Sequence, residues 1–248
     1  MAFTGQKKDP INEREDEIFR VAGDLLLELG CHDLNIGRIA DAMEVSRGTI
    51  YANFKSKEEL MLAMTIKYLE IRLGLMERAA TFQGRPRERM IAIGEAVELF
   101  TRLYPKEMRI IELVRTRGAK ERASFERQFE LKKCEYRAAS ILLSIIRDAI
   151  AIGDLSLPPE TSAEMVAFGI LAITMGGFAS VVGGLTLPDI GVGDVFEAVR
   201  TNSNLLGDGY GWKPLSTEWD YAATSCRVRE TIFHEGWNTV HTRALKKA

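Results

Sequence analysis

The chain has 248 residues, 46% of them hydrophobic, and a formal net charge of −2. This composition is typical of a globular protein with a substantial core, and it excludes the strongly basic balance that by itself draws a chain to nucleic acid or to a membrane surface. The three cysteines (Cys31, Cys134 and Cys226) are odd in number and far apart, which favours reduced thiols over a disulfide framework.

The first predicted helix lies between residues 12 and 30. Asn12 and Glu15 have the spacing of a capping box, in which two side chains each bond a backbone N–H at the start of a helix. Apolar residues then recur at helical spacing from Ile18 to Leu29, and Gly30 is typical of a helix C-terminus. No apolar run of the signal-peptide kind precedes this helix, which predicts a cytoplasmic protein.

Two short helices are predicted next. Asn35 is placed to cap the first and Ser46 to cap the second, because each short polar side chain stands directly before an apolar pattern of helical period. The joint between the two helices reads Met43-Glu44. In a turn this tight Glu44 would adopt a left-handed conformation, which costs a residue with a side chain on the order of 1 kcal/mol.

The rest of the chain also has the apolar spacing of helices, so the sequence predicts an all-α fold. Ser56 with Glu59 forms a capping box before a long helix, and Thr161 with Glu164 forms another. Helices are also predicted near residues 88–104, 106–117, 121–152, 161–182 and 192–206. After the loop "LGDGYGWKP", a single last helix is predicted from about residue 217, with Trp219, Ala222, Cys226, Phe233, Trp237 and Val240 on one stripe.

One apolar stretch, Met165–Leu187, is long enough to be tested as a membrane span. It is rich in glycine and small residues, and no girdle of Lys or Arg flanks it. We therefore expect a buried helix and no membrane partner.

The segment "LNIGRIADAMEVSRGTIYANFKSKEELMLAM", residues 34–64, resembles the TetR-type family of bacterial repressors. About ten positions match in register, Ile50 and Asn53 stand where the family has Leu and His, and the joint Met43-Glu44 departs from the Gly or Asn usual there. The resemblance implies an amino-terminal three-helix helix-turn-helix DNA-binding domain, assigned to residues 1–56. It also implies a larger helical effector-binding and dimerisation domain, assigned to residues 57–206, after which residues 207–248 add the Gly-rich loop and an extra carboxy-terminal helix.

A helix that enters the major groove of DNA needs small residues where its backbone approaches and polar residues at its edges. Gly48 and Ala52 supply the close approach, and Arg47 can reach a guanine or a phosphate. With the resemblance, this pattern predicts DNA contacts by Asn35, Arg38, Ser46, Arg47, Gly48, Thr49, Tyr51, Asn53 and Lys57. The charge of residues 1–56 argues against DNA binding, because seven basic side chains face ten acidic ones.

The resemblance also implies a small-molecule effector pocket and a homodimer. Aromatic and Met residues at helical spacing, with one cysteine, are candidates for the pocket, although such residues are more often plain core. The candidates are Phe100, Tyr104, Met108, Cys134, Tyr136, Phe168, Met175 and Phe178. The run "ITMGGFASVVGG" and the helix near residues 194–206 are candidates for the dimer interface, because small residues let helices approach closely.

The leading hypothesis is a homodimeric, ligand-responsive repressor that a small molecule releases from a near-palindromic operator in double-stranded DNA. The alternative is a helical protein of the same fold that has lost DNA binding and acts through protein contacts. An enzyme is not favoured, because the sequence has no nucleophile elbow and no justified carboxylate pair. No cofactor is predicted, and no metal site is predicted because the two histidines of "HEGWNTVH" are seven residues apart instead of four.

The carboxy-terminal extension is expected to dock on the effector-binding domain of its own chain or of a dimer partner. An apolar stripe that includes Trp219, Phe233 and Trp237 would be an aggregation risk if it were left in water. The alternative is a loosely attached amphipathic tail.

Overall fold

A computed structural model describes residues 10–116, 119–183 and 187–246. Within these ranges every regular element is helical, so the predicted all-α fold class is confirmed. The elements in chain order are α1 (Pro10–Asp33), α2 (Ile36–Ala42), α3 (Arg47–Tyr51), α4 (Lys57–Ala80), α5 (Pro86–Leu103), α6 (Pro105–Thr116), α7 (Ala119–Arg122), α8 (Phe125–Ala151), α9 (Ala163–Gly183), a 3-10 turn (Leu187–Ile190), α10 (Val195–Gly209), α11 (Tyr221–Thr231) and α12 (His234–Leu245).

These helices form two compact units. The described residues of Met1–Tyr68 and Arg109–Leu131 make up the first unit, and those of Leu69–Met108 and Lys132–Ala248 make up the second. The first unit is larger than the predicted domain of residues 1–56, since it also takes in α7 and parts of α6 and α8. The carboxy-terminal extension belongs to the second unit, whose helices it contacts.

The first helix begins earlier than predicted. It starts at Pro10, and Asn12 lies inside its first turn, so the predicted cap at Asn12 is wrong. Proline is well tolerated at the first helical position, because the N–H that it lacks has no partner within the helix. At the other end Gly30 adopts φ 76° and interrupts the helical backbone, which confirms the break expected at this glycine.

The joint between α2 and α3 is a Schellman turn built on Glu44. The Val45 N–H donates to the Ala40 carbonyl (3.0 Å), and the Glu44 N–H donates to the Asp41 carbonyl (3.2 Å). This pair of bonds satisfies carbonyls that the end of a helix leaves open, and it requires a left-handed residue at position 44. Glu44 has φ 54°, so the strained conformation predicted from the sequence is confirmed.

Replacing Glu44 with glycine should stabilise the protein. Relief of the left-handed strain outweighs the greater backbone entropy of glycine in the unfolded chain, and we expect a net gain of about 0.5–1 kcal/mol. Denaturant unfolding of the full chain measures the change. The matched control is Ala42→Gly, two residues earlier in helical conformation, which should cost about 0.5–1 kcal/mol. Equal losses in the two variants would contradict the strain at Glu44.

In the second unit, α9 packs closely against α10. A Cβ atom on Gly177 of α9 would overlap the Val199 side chain of α10, so only a glycine permits this approach. The aromatic rings of Phe178 and Phe196 meet across the same pair of helices, with their centroids 5.5 Å apart. The small residues of α9 therefore do bring two helices together, and they do so within one chain.

Helix α9 is not the buried helix that the sequence predicts. The stretch Ala163–Val181 is long and apolar enough to cross a membrane by length and composition, yet only 17% of it is buried within the described chain. Met165 is 54% exposed and Phe168 is 72% exposed. The prediction is wrong because α10 covers one side of the helix and leaves apolar side chains on other sides uncovered. One helix of this kind is weak evidence for a membrane protein. Its exposed apolar side chains have no packing partner in the described chain.

The carboxy-terminal extension forms two helices instead of the predicted one. Helix α10 continues to Gly209, through part of the predicted loop, and α11 and α12 are separated by a break at Ile232 and Phe233. The predicted single stripe is therefore wrong: Phe233 and Trp237 are buried, whereas Cys226 is exposed. A change of direction between two helices separates residues that would share one face of a continuous helix.

Buried glutamates of α5 hold the extension in place. Glu88, Glu95 and Glu98 are 4%, 1% and 3% exposed. Arg229 of α11 binds Glu95 with two hydrogen bonds of 2.6 and 3.1 Å, and Arg227 of the same helix pairs with Glu88. The expected docking of the extension on its own chain is confirmed.

The Arg229–Glu95 pair generates a stability prediction. Arg229→Ala leaves a buried carboxylate without its partner, and we expect a loss of about 3–5 kcal/mol in the free energy of unfolding. The double variant Arg229→Leu/Glu95→Leu removes both charges and should recover most of this loss. Chemical unfolding followed by circular dichroism compares the two. If the double variant is as unstable as the single one, an unpaired charge is not the cause.

Candidate nucleic-acid interface and effector cavity

Two side-chain caps position the short helices of the first unit. Asn35 Oδ1 accepts a hydrogen bond from the Arg38 N–H at the start of α2 (3.0 Å). Ser46 Oγ accepts one from the Thr49 N–H at the start of α3 (3.2 Å). Both caps were predicted from the sequence, and both are confirmed. They fix where α3 begins, and therefore which of its side chains are exposed.

Helix α3 has one buried side and one exposed side. Ile50 is completely buried and anchors the helix, whereas Tyr51 is 53% exposed. The exposed residues in and just beyond this turn are Arg47, Gly48, Tyr51, Ala52 and Asn53. They form a surface of mostly small or polar residues that has the composition a DNA groove requires.

Arg47 lies across the beginning of α2. A Cβ atom on Gly37 would come within 3.0 Å of Arg47 Nη2 and within 3.1 Å of Asn35 Oδ1. The guanidinium and the cap residue Asn35 thus meet over one glycine, and the exposed Arg38 follows directly in the same helix. The fold brings together three residues that the sequence proposed separately for DNA contact.

Three predicted contact residues use their polar groups in hydrogen bonds within and beside α3. Thr49 Oγ1 and Ser46 Oγ are 3.0 Å apart and share a hydrogen bond. Asn53 Nδ2 donates to the Thr49 carbonyl (3.0 Å). Each of these groups keeps further hydrogen-bonding capacity, because a hydroxyl and an amide can each make more than one bond.

Lys57 has a different placement from the one expected of a phosphate contact. Its Nζ donates to the carbonyl oxygens of Cys31, His32 and Leu34 at 3.0, 3.1 and 3.0 Å. These carbonyls lie at and just beyond the C-terminus of α1, where a cation is favoured by unpaired acceptors and by the helix dipole. The ammonium makes all three of its hydrogen bonds within the protein, so its role in this structure is to hold α1 to α4.

Lys57→Met should therefore reduce stability and leave the charge contacts with DNA intact. We expect a loss of about 1.5–3 kcal/mol, as is usual for hydrogen bonds made by a charged group. Lys55→Met, two residues away on an exposed side chain, is the matched control and should change stability by less than about 0.5 kcal/mol. Thermal unfolding gives the first readout, and the salt dependence of DNA affinity gives the second. A salt slope lower by about one in Lys57→Met would instead assign a phosphate contact to this lysine.

The second unit encloses a cavity between five helices. Its empty volume is about 890 Å³, including space that is open to solvent. Side chains of α4, α5, α8, α9 and α10 line it, together with Trp212 from the turn after α10. Most of the wall is aliphatic or aromatic, and the principal apolar residues are Met76, Met90, Ile93, Val97, Leu142, Ile170, Leu171, Phe178, Phe196 and Val199.

Comparison with known proteins finds a family match within the first unit. Residues 18–64 match the model described as bacterial regulatory proteins of the tetR family. This match includes α2, α3, the Schellman turn between them and the start of α4. Residues 18–64 are therefore similar to the helix-turn-helix domain of that family. The resemblance seen in residues 34–64 is thereby confirmed.

Solved structures share the fold over most of the chain. PfmR, a TetR-family regulator from Thermus thermophilus, is 20% identical, with a TM-score of 0.59 over 76% of this chain and 96% of that chain. FadR from Bacillus subtilis, solved with stearoyl-CoA, is 17% identical, with a TM-score of 0.59 over 78% and 98%. A regulator from Saccharomonospora viridis, solved with choline, is 19% identical, with a TM-score of 0.61 over 79% and 96%. At these identities the likeness establishes a shared TetR-type fold.

The cavity of the second unit is not where the sequence placed an effector pocket. Of the eight predicted residues, Phe178 alone is part of its wall. Tyr136 and Phe168 are 74% and 72% exposed, so they point away from any interior. The other five, which do not line the cavity, are Phe100, Tyr104, Met108, Cys134 and Met175.

The prediction failed because helical spacing identifies a buried face but not what that face meets. Phe100, Met108 and Cys134 are at most 3% exposed and pack as core, and burial raises the pKa of the Cys134 thiol to about 11. The sequence contains one feature that could have identified the cavity wall. Gly94 interrupts an otherwise good helix-forming segment of α5, and a Cβ atom there would meet nothing within 4 Å.

Proposed function

We propose that this protein is a homodimeric transcriptional regulator that binds DNA through α3 and responds to a small molecule held in the cavity of the second unit. Its mode of action would be repression, relieved when the ligand releases the dimer from a near-palindromic operator. The observation that carries the proposal is the exposed side of α3, whose small and polar residues stand in a TetR-type motif on a helix anchored by Ile50. An exposed helix face without a binding partner would not need to match that motif position by position.

Local placement of charge supports DNA binding despite the acidic balance of residues 1–56. Arg38 and Arg47 are both exposed and lie near the capped N-terminus of α2, where backbone N–H groups also favour an anion. A guanidinium can bind the O6 and N7 atoms of guanine with two hydrogen bonds. Arg47 is therefore proposed as a base contact, and the groups around it as phosphate contacts. The other proposed contact residues are Asn35, Arg38, Ser46, Gly48, Thr49, Tyr51 and Asn53.

Loss of Arg47 should weaken binding to the operator and relax its sequence preference. We expect Arg47→Ala to cost about 1–3 kcal/mol per half-site, because the bidentate contact discriminates among bases. Arg122→Ala removes one exposed charge from α7 of the same unit and serves as the charge-matched control. Binding isotherms on the operator and on single-base variants at several salt concentrations separate the two. Equal behaviour of both variants would remove Arg47 from the contact surface.

The operator itself has to be found first. Selection from a pool of random duplex DNA with the full chain, followed by footprinting, should enrich a near-palindromic site. If no sequence is enriched, the alternative is favoured, in which a protein of this fold has lost DNA binding and acts through contacts with other proteins.

A two-fold dimer accounts for the uncovered side of α9. One short α3 per chain reads few base pairs, and pairing two chains doubles the site. The exposed apolar residues of α9 and the neighbouring surface of α10 offer an area that a second copy can cover. Analytical ultracentrifugation should find a dimer at micromolar concentration, and a monomer that binds a single half-site tightly would contradict the proposal.

The mainly apolar cavity supports a response to a ligand. Concave sites with apolar walls and a few polar groups are the usual form of small-molecule sites. Stearoyl-CoA and choline are bound by proteins of the same fold, so the fold accommodates ligands of different chemistry. The proposal assigns no enzymatic activity and no cofactor to this chain.

A further inference from the structure

Each charged residue in the cavity wall already has a partner of opposite charge, either in the wall or just behind it. Arg87 pairs with Asp208 at 2.7 Å, and Glu95 is bound on both oxygens by Arg229. Glu98 and Arg200, which also line the cavity, pair with each other, and Glu98 accepts a further bond from Arg102 at 2.8 Å. The wall thus contains two cations and two anions, each with a counter-charge of its own.

A charged ligand would have to compete for these partners. A carboxylate would displace Glu98 or Asp208 from its arginine, and an ammonium group would displace an arginine from its carboxylate. In either case an ion pair of the wall is broken, which is more costly than the burial of an uncharged group. The electrostatics of the wall therefore favour a neutral ligand.

Two residues of the cavity wall carry buried polar side-chain atoms that lack partners in the described chain. Trp212 is 1% exposed, and its Nε1 donor is buried without a hydrogen bond. The Oδ1 acceptor of Asn204 is buried in the same state. Both residues line the cavity, and a buried polar atom without a hydrogen bond destabilises the folded state.

The buried Arg87 holds these two residues side by side. Its Nη1 donates to the Trp212 carbonyl (2.5 Å), and its Nη2 donates to the Asn204 carbonyl (2.8 Å). Because one guanidinium binds both backbones, the two residues that carry the unpartnered donor and the unpartnered acceptor are neighbours in the wall. The rest of the wall is apolar, apart from the paired charges and the hydroxyls of Thr174 and Ser203.

We infer that the cavity takes an uncharged, apolar molecule with a single terminal group that both accepts and donates hydrogen bonds, such as a primary amide or a hydroxyl. The ligand group accepts from Trp212 Nε1 and donates to Asn204 Oδ1, and its hydrocarbon part lies along the apolar wall. This inference rests on the proposed role of the cavity as an effector site. It adds the chemical class of the ligand and the residues that distinguish it from an ion.

Three probes with the same carbon chain test the charge preference: octanamide, octanoate and octyltrimethylammonium. Calorimetric titration of the full chain at pH 7.5, without DNA, measures their affinities. Octanamide should bind at least about tenfold more tightly than either ion, which corresponds to about 1.4 kcal/mol. Equal or tighter binding of octanoate or of the cation overturns the inference, and so does the absence of binding by all three.

Substitution of tryptophan by phenylalanine tests the hydrogen bond. Trp212→Phe keeps an aromatic ring and removes the N–H, so affinity for octanamide should fall about fivefold, as expected for one net hydrogen bond. Trp237→Phe is the matched control, because Trp237 Nε1 is also buried without a partner but does not line the cavity. If both variants bind octanamide like the parent, Trp212 does not recognise the ligand.

Substitutions at two glycines in the middle of helices test whether the ligand binds in the cavity. Gly94 and Gly74 both have open space where a Cβ atom would be, but only Gly94 lines the cavity. Gly94→Leu should abolish octanamide binding by filling the space, whereas Gly74→Leu should preserve it, and melting temperatures show that each variant is folded. Loss of binding in both folded variants, or in neither, contradicts the assignment.

The inferred ligand class and the proposed regulatory function can be contradicted independently of each other. An octanamide preference in a chain that selects no DNA sequence would leave the ligand class standing and remove the regulatory role. An enriched operator in a chain that binds none of the probes would keep DNA binding and overturn the ligand class.

Discussion

The second unit depends on the neutralisation of buried carboxylates along α5. Glu88 and Glu95 are two helical turns apart on a helix that also supplies much of the cavity wall. Unpaired, either carboxylate would cost several kcal/mol in a protein interior. Arg227 and Arg229 of α11 remove that cost, so α5 can keep acidic residues in its core only while the carboxy-terminal helices are docked. The same pairs fix α11 on α5.

Arg87 extends this dependence to the cavity itself. It lies at the start of α5, is 3% exposed, and binds the carbonyls of Trp212 and Pro214 in the segment that leads to α11. The docked extension therefore supplies Trp212 to the wall, and the cavity and the extension form one structure. A molecule that satisfies Trp212 Nε1 would stabilise the conformation in which the extension is docked, because ligand binding favours the state that binds it.

Local sequence signals predicted the first unit better than the second. Caps at Asn35 and Ser46, the break at Gly30 and the strain at Glu44 each depend on residues a few positions apart, so a single sequence contains all of their causes. The cavity depends on residues that lie far apart in the sequence, such as Gly94 and Trp212. Their proximity follows from tertiary packing, and for that reason helical spacing selected mostly core or exposed aromatics in place of the real wall.

The sequence by itself determined the helical class, most helix boundaries and the residues available to α3, because these follow from propensity, capping and periodicity over a few turns. Only the tertiary structure decided which carboxylates are buried, where the Lys57 ammonium lies, and which side of α9 is left uncovered. The reason is physical: hydrogen bonds within a helix are local, whereas the partner of a buried charge or an apolar face is chosen by packing between segments more than a hundred residues apart, as Glu95 and Arg229 are.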